Sequence, residues 1–272
     1  MAESVPALDK LERPPEARRK VLTAVEFDVL WERLGLGPTP VVLRLPSPGR
    51  TLTERRTVQE SGWQALRDRG LAGPSGPDPE LARLLHLLAR PSMQLELRGW
   101  WGHDVRAVAA GQPGSGMLAV RQDATVTLGP CGSLPPGLLG TLPPAGPGPG
   151  RASTVPTEVL TAALAAPDIG LRAALIARDV PATEAGLLAR MLGDTERRAQ
   201  IVALASDRWG VPRRSGRVLS VLDGPRGRYL MTRTVGEDGA EWMTVAPTDD
   251  RRLRHRVTEL LARATATATP TL

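Results

Sequence analysis

The sequence predicts an α+β fold, and three observations carry that reading. Apolar residues recur at the helical period of about 3.6 up to residue 90, and then at a period of two between residues 93 and 128. The same two regimes return in the same order in the second half of the chain. Between them lies a stretch so rich in proline and glycine that it divides the pattern. The strand-like segments 93–128 and 217–246 are expected to join one antiparallel sheet.

Residues 1–20 are charged and contain prolines, and read as a flexible N-terminal arm. The segment "TAVEFDVLWERLG" opens on a capping box, Thr23 with Glu26, and stops at Gly35. Val25, Val29, Leu30 and Leu34 fall at helical spacing within it. "VVLRL", residues 41–45, lies between prolines and reads as a short strand. A second capping box, Thr51 with Glu54, starts a helix that ends at Gly70. Asp78 then caps a helix with Pro79 at its first position and Arg90 in its last turn.

From Ser92 the side chains alternate. Met93, Leu95 and Leu97 share one face, and Gln94, Glu96 and Arg98 share the other. "VRAVAA", "MLAVRQ" and "TVTLG" continue the pattern, separated by the turns "GHD", "GQPGSG" and "QDA". This is an antiparallel meander with one wet face.

Residues 129–150 hold seven glycines and seven prolines in 22 positions. No regular element is expected at that density beyond one turn near Leu138 and Leu139. A linker is therefore placed over 129–152, joining halves 21–128 and 153–264, with a weak tail at 265–272. Four helices are read after it: "TEVLTAALAA", "GLRAALIARD", "ATEAGLLARML" and "DTERRAQIVALASDRWG". Strands return in "RVLSVLD", "RYLMTRTV" and "EWMTVAP", and a last helix starts at a cap supplied by Asp249 or Asp250. Helices followed by a meander thus occur twice, an echo of architecture without visible sequence identity.

Composition narrows the functional classes. The 272 residues are 41% hydrophobic and 24% charged, ordinary for a globular protein. Only two of the 35 basic residues are lysines, and asparagine does not occur. Such usage looks like the coding bias of a GC-rich genome, so the pI near 10.7 is weak evidence for nucleic acid. Acids are interleaved with the arginines, and the net charge is only +6. One cysteine excludes an internal disulfide and any multi-cysteine metal site. The first twenty residues lack the apolar stretch of a secretory leader, and no run reaches the ~18 apolar residues of a membrane span. A cytoplasmic setting is expected, without membrane association.

No catalytic chemistry emerges. His86, His103 and His255 lie far apart in different elements, so neither a metal site nor a catalytic triad is expected. Cys131 sits in "GPCGS" with neither a histidine nor a helix start to activate it. "PGPGR" and "GPRGR" lack the context of a phosphate loop. Asp249–Asp250 and Glu237–Asp238 read as a cap and a turn. No catalytic residue, metal or cofactor is expected. One alternative is a winged-helix-like nucleic-acid-binding protein, with "DTERRAQIVALASDRWG" as helix, Arg208, Arg213, Arg214 and Arg217 on phosphates, and residues 224–245 as the wing. Against it, the two helices lack the short turn of a helix-turn-helix, and Glu237, Asp238 and Glu241 would face the DNA.

The chain also resembles a known family. "LTAVEFDVLWERLGLGPTPVVLRLPSPGRTLTERR", "LRDRGLAG" with "DPELARLLHLLARP", and a strand beginning "ELRGWWG" are similar to EspG-type proteins, associated with ESX (type VII) secretion in actinobacteria. The closing segment from "RVLSVLDGPRGRYLMTRTV" to "RVTELL" is more similar still. The resemblance covers residues 21–263. It implies a single domain with a central antiparallel sheet flanked by helical bundles, its two halves in a pseudo-twofold arrangement. It implies no enzyme, but a cytosolic chaperone or adaptor that binds helical PE/PPE secretion substrates, or related ESX substrates, and keeps them soluble for export.

On this basis residues 224–245 belong to a partner-holding sheet. The resemblance places the partner surface on the exposed sheet and its connecting loop, and "RGWWGHD" is the aromatic-rich loop available. The expected contact residues are Glu96, Arg98, Trp100, Trp101, His103 and Asp104, with Trp100 as anchor.

Overall fold

The structure, a computed structural model, describes residues 19–268 apart from the side chain of Pro167. Of the expected arm, residues 1–18 lie outside the described residues, as do residues 269–272 of the expected tail.

The first half runs β1 (Lys20–Thr23), α1 (Ala24–Arg33), α2 (Leu52–Asp68), β2 (Ala72–Gly73), β3 (Gly76–Pro77) and α3 (Pro79–Ala89). The expected meander follows as β4 (Met93–Trp100), β5 (Asp104–Gln112), β6 (Ser115–Gln122) and β7 (Thr125–Cys131), closed by α4 (Leu134–Leu139). The second half runs β8 (Ser153–Pro156), α5 (Thr157–Leu164), α6 (Leu171–Ile176), α7 (Ala182–Leu192) and β9 (Arg197–Ser206). It ends with β10 (Pro212–Arg214), β11 (Leu219–Gly224), β12 (Gly227–Val235), β13 (Glu241–Pro247) and α8 (Asp250–Ala268).

The capping residues act as their spacing demands. Thr23 N–H donates to Glu26 Oε2 at 2.7 Å while Glu26 N–H donates to Thr23 Oγ1 at 3.2 Å. Thr51 and Glu54 close the same box on α2, and Asp78 accepts from Leu81 N–H at 2.8 Å to start α3. Asp249 accepts from Arg252 N–H at 2.7 Å, which identifies it as the cap of α8.

Among the described residues, eleven strands form one antiparallel sheet in the order β1-β7-β6-β5-β4-β9-β11-β12-β13-β8, with β10 paired to β9. Strands β2 and β3 form a separate ribbon. The two meanders thus lie in one sheet, and β4 meets β9 at its centre with Met93 opposite Ala205 and Trp100 opposite Arg198. Counting outward from that pair, β5 corresponds to β11, β6 to β12, β7 to β13 and β1 to β8.

Residues directly opposed in an antiparallel ladder point to the same side. Val108, Glu96 and Val202 therefore share one face, together with Arg198, Leu222 and Tyr229. On that face α1 and α3 bury Phe27, Leu30, Leu84 and Leu88 against Val108, Met117 and Leu128. At the other end of the same face, α5 to α7 bury Leu160, Leu175 and Leu188 against Tyr229 and Val245. The opposite face is covered over its centre by α4 and α8, whose Leu134, Leu138, Val257 and Leu260 pack on Leu95, Leu97, Ile201 and Val221. Two helical bundles therefore flank the sheet on one side, with the β4–β9 strip between them.

Several expectations fail for identifiable reasons. The segment "RRAQIVALAS", expected to be helical, is β9, a central strand with Ala199, Ile201, Val202, Ala203 and Ala205 all buried. A strand covered on both faces reads as a continuous apolar run, which periodicity alone does not separate from a buried helix. "VVLRL" is no strand: residues 41–43 form a 3-10 turn, with Leu43 N–H donating to the Pro40 carbonyl at 2.9 Å. The prolines around it remove ladder donors.

The linker at 129–152 is packed structure. β7 continues to Cys131, and α4 accommodates Pro135 in its first turn, where no intrahelical N–H is needed. Leu134 and Leu138 are buried beneath it, so the first half does not stop at residue 128. α8 runs on to Ala268, itself buried, so residues 265–268 are helix and not tail. The four-residue outer strands β1 and β8 had escaped notice, and β1 begins inside the expected arm.

Candidate functional site

At the β4–β5 end of the central strip the sheet emerges between the bundles. Trp100, the last residue of β4, stands opposite Asp104 on one side and Arg198 on the other. Arg98, on the same face, stands opposite Arg106 and Gln200. Arg98, Arg198 and Gln200 are exposed, and Trp100 keeps 44% of its surface accessible. An indole is thus displayed among three guanidinium groups, one of them held by Asp104, whose Oδ2 lies 2.8 Å from Arg106 Nη2.

Farther along the strip the same face closes. Glu96 is half-buried and accepts from Gln94 Nε2 at 3.1 Å; Gln94 and its neighbour Val202 are buried. Burial pushes the Glu96 carboxyl above its ordinary range, against the opposing pull of Arg98 and Arg214. The strip therefore grades from a dry centre to a wet, basic end.

The fold divides the six expected residues. Glu96, Arg98 and Trp100 share one face, Asp104 flanks them, and His103 is exposed in the connecting turn. Trp101 turns to the opposite face and joins the cluster under α4 and α8. Its ring lies over Gly99, where an added Cβ would collide with Cζ3, so glycine suits the position beneath it. Trp101 N–H donates to the His103 carbonyl at 3.0 Å, and Gly102 takes a φ of 85°, so this indole and its backbone seat the turn. Sequence reasoning missed Arg198 and Gln200 because their strand had been read as a helix. It also missed Arg106, which alternation from Val105 would have placed on this face.

A second tryptophan is more exposed. The turn from β9 to β10, residues 207–211, displays Trp209 with 76% of its surface accessible and Val211 with 45%. Asp207 pins this turn: its Oδ1 accepts from Trp209 N–H at 2.9 Å and Val211 N–H at 3.0 Å, and its Oδ2 from Arg213 Nε at 3.0 Å. The Val211 amide foremost, with the Trp209 amide and Arg213, holds its carboxyl below the usual range.

The winged-helix geometry is absent because its first helix is β9 and its proposed wing is the β12–β13 hairpin, paired on both sides within the sheet. Cys131 is buried under α4, and burial pushes its thiol up to about 11. Among the described residues no cluster of three or more histidine, cysteine or acidic side chains is arranged to hold a metal ion. Among them, too, no helix is long and apolar enough to cross a membrane.

The fold is thus an antiparallel sheet with helical bundles at both ends of one face, an architecture found among solved structures. The Mycobacterium tuberculosis type VII secretion system chaperone EspG5, solved in complex with the PE25-PPE41 dimer, shares it with a TM-score of 0.69 at 18% sequence identity, over 90% of this chain and 96% of that chain. The model of the EspG family matches residues 23–259, and the chain belongs to that family. No curated protein sequence matches the chain.

Proposed function

We propose that the protein is a non-enzymatic, cytoplasmic chaperone that binds helical type VII secretion substrates of the PE/PPE kind and keeps them soluble for export. The observation that carries this reading is the uncovered end of the β4–β9 strip between two bundles, with Trp100 displayed among Arg98, Arg106 and Arg198. A secreted helical pair with an apolar tip needs such a surface to cover it before export. A buried tryptophan supplies contact energy, and surrounding arginines orient an acidic rim. EspG5, of the same fold, was solved bound to the PE25-PPE41 dimer, which supports the assignment of partner class. The contact set is read as Trp100 with Arg98, Glu96, His103 and Asp104, extended by Arg106, Arg198 and Gln200. Trp101 serves as support from the other face.

The matching order of elements on either side of the β4–β9 pair supports a pseudo-twofold relation of the halves. It also supports a single domain, since neither half completes its sheet without the other. The test is co-purification of the tagged chain with a PE/PPE-type pair encoded beside its gene. A stable complex that survives physiological salt is expected, and tight sequence-selective DNA binding at that salt in its place would overturn the reading.

A further inference from the structure

We propose that the turn at residues 207–211 is a second contact arm for the helical secretion substrate, with Trp209 inserting into an apolar recess flanked by carboxylates. The proposal rests on the function proposed above and goes beyond it in naming a site and the chemistry that site selects.

The argument begins with what the turn costs to display. A tryptophan with 76% of its surface in water is, among the described residues, the most exposed of the large apolar side chains apart from Leu52 at the start of α2. A turn without a task carries glycine or a polar residue there at no loss. This turn is also stiff. One carboxylate, Asp207, accepts from two of its amides and from Arg213, while Asp207 N–H donates to the Val211 carbonyl at 2.9 Å. Gly210 takes the positive φ of 75° that closes the turn. A rigid aromatic at the tip of a pinned loop loses little conformational entropy on binding, which is the economy that anchors of protein interfaces exploit.

The surroundings specify the occupant. Arg208 stacks over the Trp209 ring at 5.0 Å, and Arg213, Arg214 and Arg217 are all exposed nearby in sequence. The single acid between Ser206 and Val218 is Asp207, whose charge is spent inside the turn. The tip therefore presents an indole in a positive field, which fits an apolar recess with an acidic rim and repels a basic one. Continuity with the Trp100 surface comes through Arg214, which stands opposite Leu204 and so shares the face of Gln94, Glu96 and Arg98. Trp100 closes one end of the β4–β9 pair, at the hairpin between β4 and β5. Trp209 lies beyond the other end, at the corresponding hairpin between β9 and β10. Each end of the pair thus carries an aromatic–arginine contact for the substrate.

The test uses the full chain and a co-expressed PE/PPE-type helical pair encoded beside its gene, titrated by calorimetry against wild type, Trp209→Ala, Trp209→Phe and Arg208→Glu, with melting measured for each. The expected result is an affinity loss of about tenfold or more for Trp209→Ala at an unchanged melting temperature, partial recovery with Trp209→Phe, and weaker binding with Arg208→Glu. Wild-type affinity in Trp209→Ala overturns the second arm and leaves the chaperone reading standing. No binding by the wild-type chain overturns both. Binding of a single- or double-stranded oligonucleotide at physiological salt, lost in Trp209→Ala, also overturns the proposal, because it assigns the indole and its arginines to stacked bases and phosphates.

Discussion

Arg228 holds Asp223 from the directly opposing position on the next strand, with Nε donating to Oδ1 at 2.7 Å and Nη2 to Oδ2 at 2.8 Å. The guanidinium is almost wholly buried, and its remaining donors reach the Pro143 carbonyl at 2.6 Å and Asp250 Oδ1 at 3.2 Å. The backbone of Arg228 also pairs with Gly146 and Gly148. One side chain thus fastens the proline-rich crossing, the β11–β12 hairpin and the start of α8.

Asp223→Ala leaves that buried guanidinium without its two-pronged partner and is expected to cost about 3–5 kcal/mol in urea unfolding. The double variant Asp223→Leu with Arg228→Met should recover part of the loss, since it removes both charges together. A single variant that unfolds at the wild-type urea concentration would show the pair to be without consequence.

The two adjacent tryptophans should separate stability from binding. Trp100→Ala is expected to melt with the wild type and to weaken capture of the helical partner roughly thirtyfold or more. Trp101→Ala empties the space over Gly99 and is expected to cost about 3 kcal/mol of stability. Early melting of Trp100→Ala would place its indole in the core and remove it from the interface.

Glu96 should make stability depend on pH in an unusual sense for a carboxylate. Burial raises its pKa, so the folded state holds the proton more firmly than the unfolded chain. Below the unfolded-state value both forms are protonated and nothing is lost. As pH rises through the folded value, ionisation of the half-buried group costs stability. Glu96→Gln should therefore match wild type in acid and melt higher near neutral pH, as read by calorimetry across that interval. An unchanged difference at every pH would remove titration of Glu96 as the cause.

Cys131, with its thiol at about 11 and its side chain buried, should resist an aromatic disulfide reagent at neutral pH and react fully once the chain is unfolded. Reaction at the rate of a free thiol in the native protein would mean that α4 lifts from the sheet.

The helices that announce themselves with side-chain caps, α1, α2 and α3, were legible because Thr23, Thr51 and Asp78 act locally. The alternation that set Arg98 and Trp100 apart from Leu95 and Leu97 was legible for the same reason. β9 was not, since its character depends on strands distant in sequence and on helices covering both faces, neither of which its own residues encode. Two residues of the candidate site were hidden with it: Arg198 and Gln200 meet Trp100 and Arg98 only through that pairing. α4 was legible only as a turn near Leu138 and Leu139, because proline density signals irregularity everywhere except in a first helical turn, where Pro135 sits.

The outermost strands carry a consequence for how the molecule behaves in a crowded solution. An open sheet ends in rows of backbone donors and acceptors, and a long bare row recruits another chain. Here β1 and β8 are each four residues long, β1 opens on Lys20, and β8 closes on Pro156, which has no amide hydrogen to give. A neighbouring copy finds few backbone bonds to make at either margin, which weakens edge-to-edge continuation of the ladder.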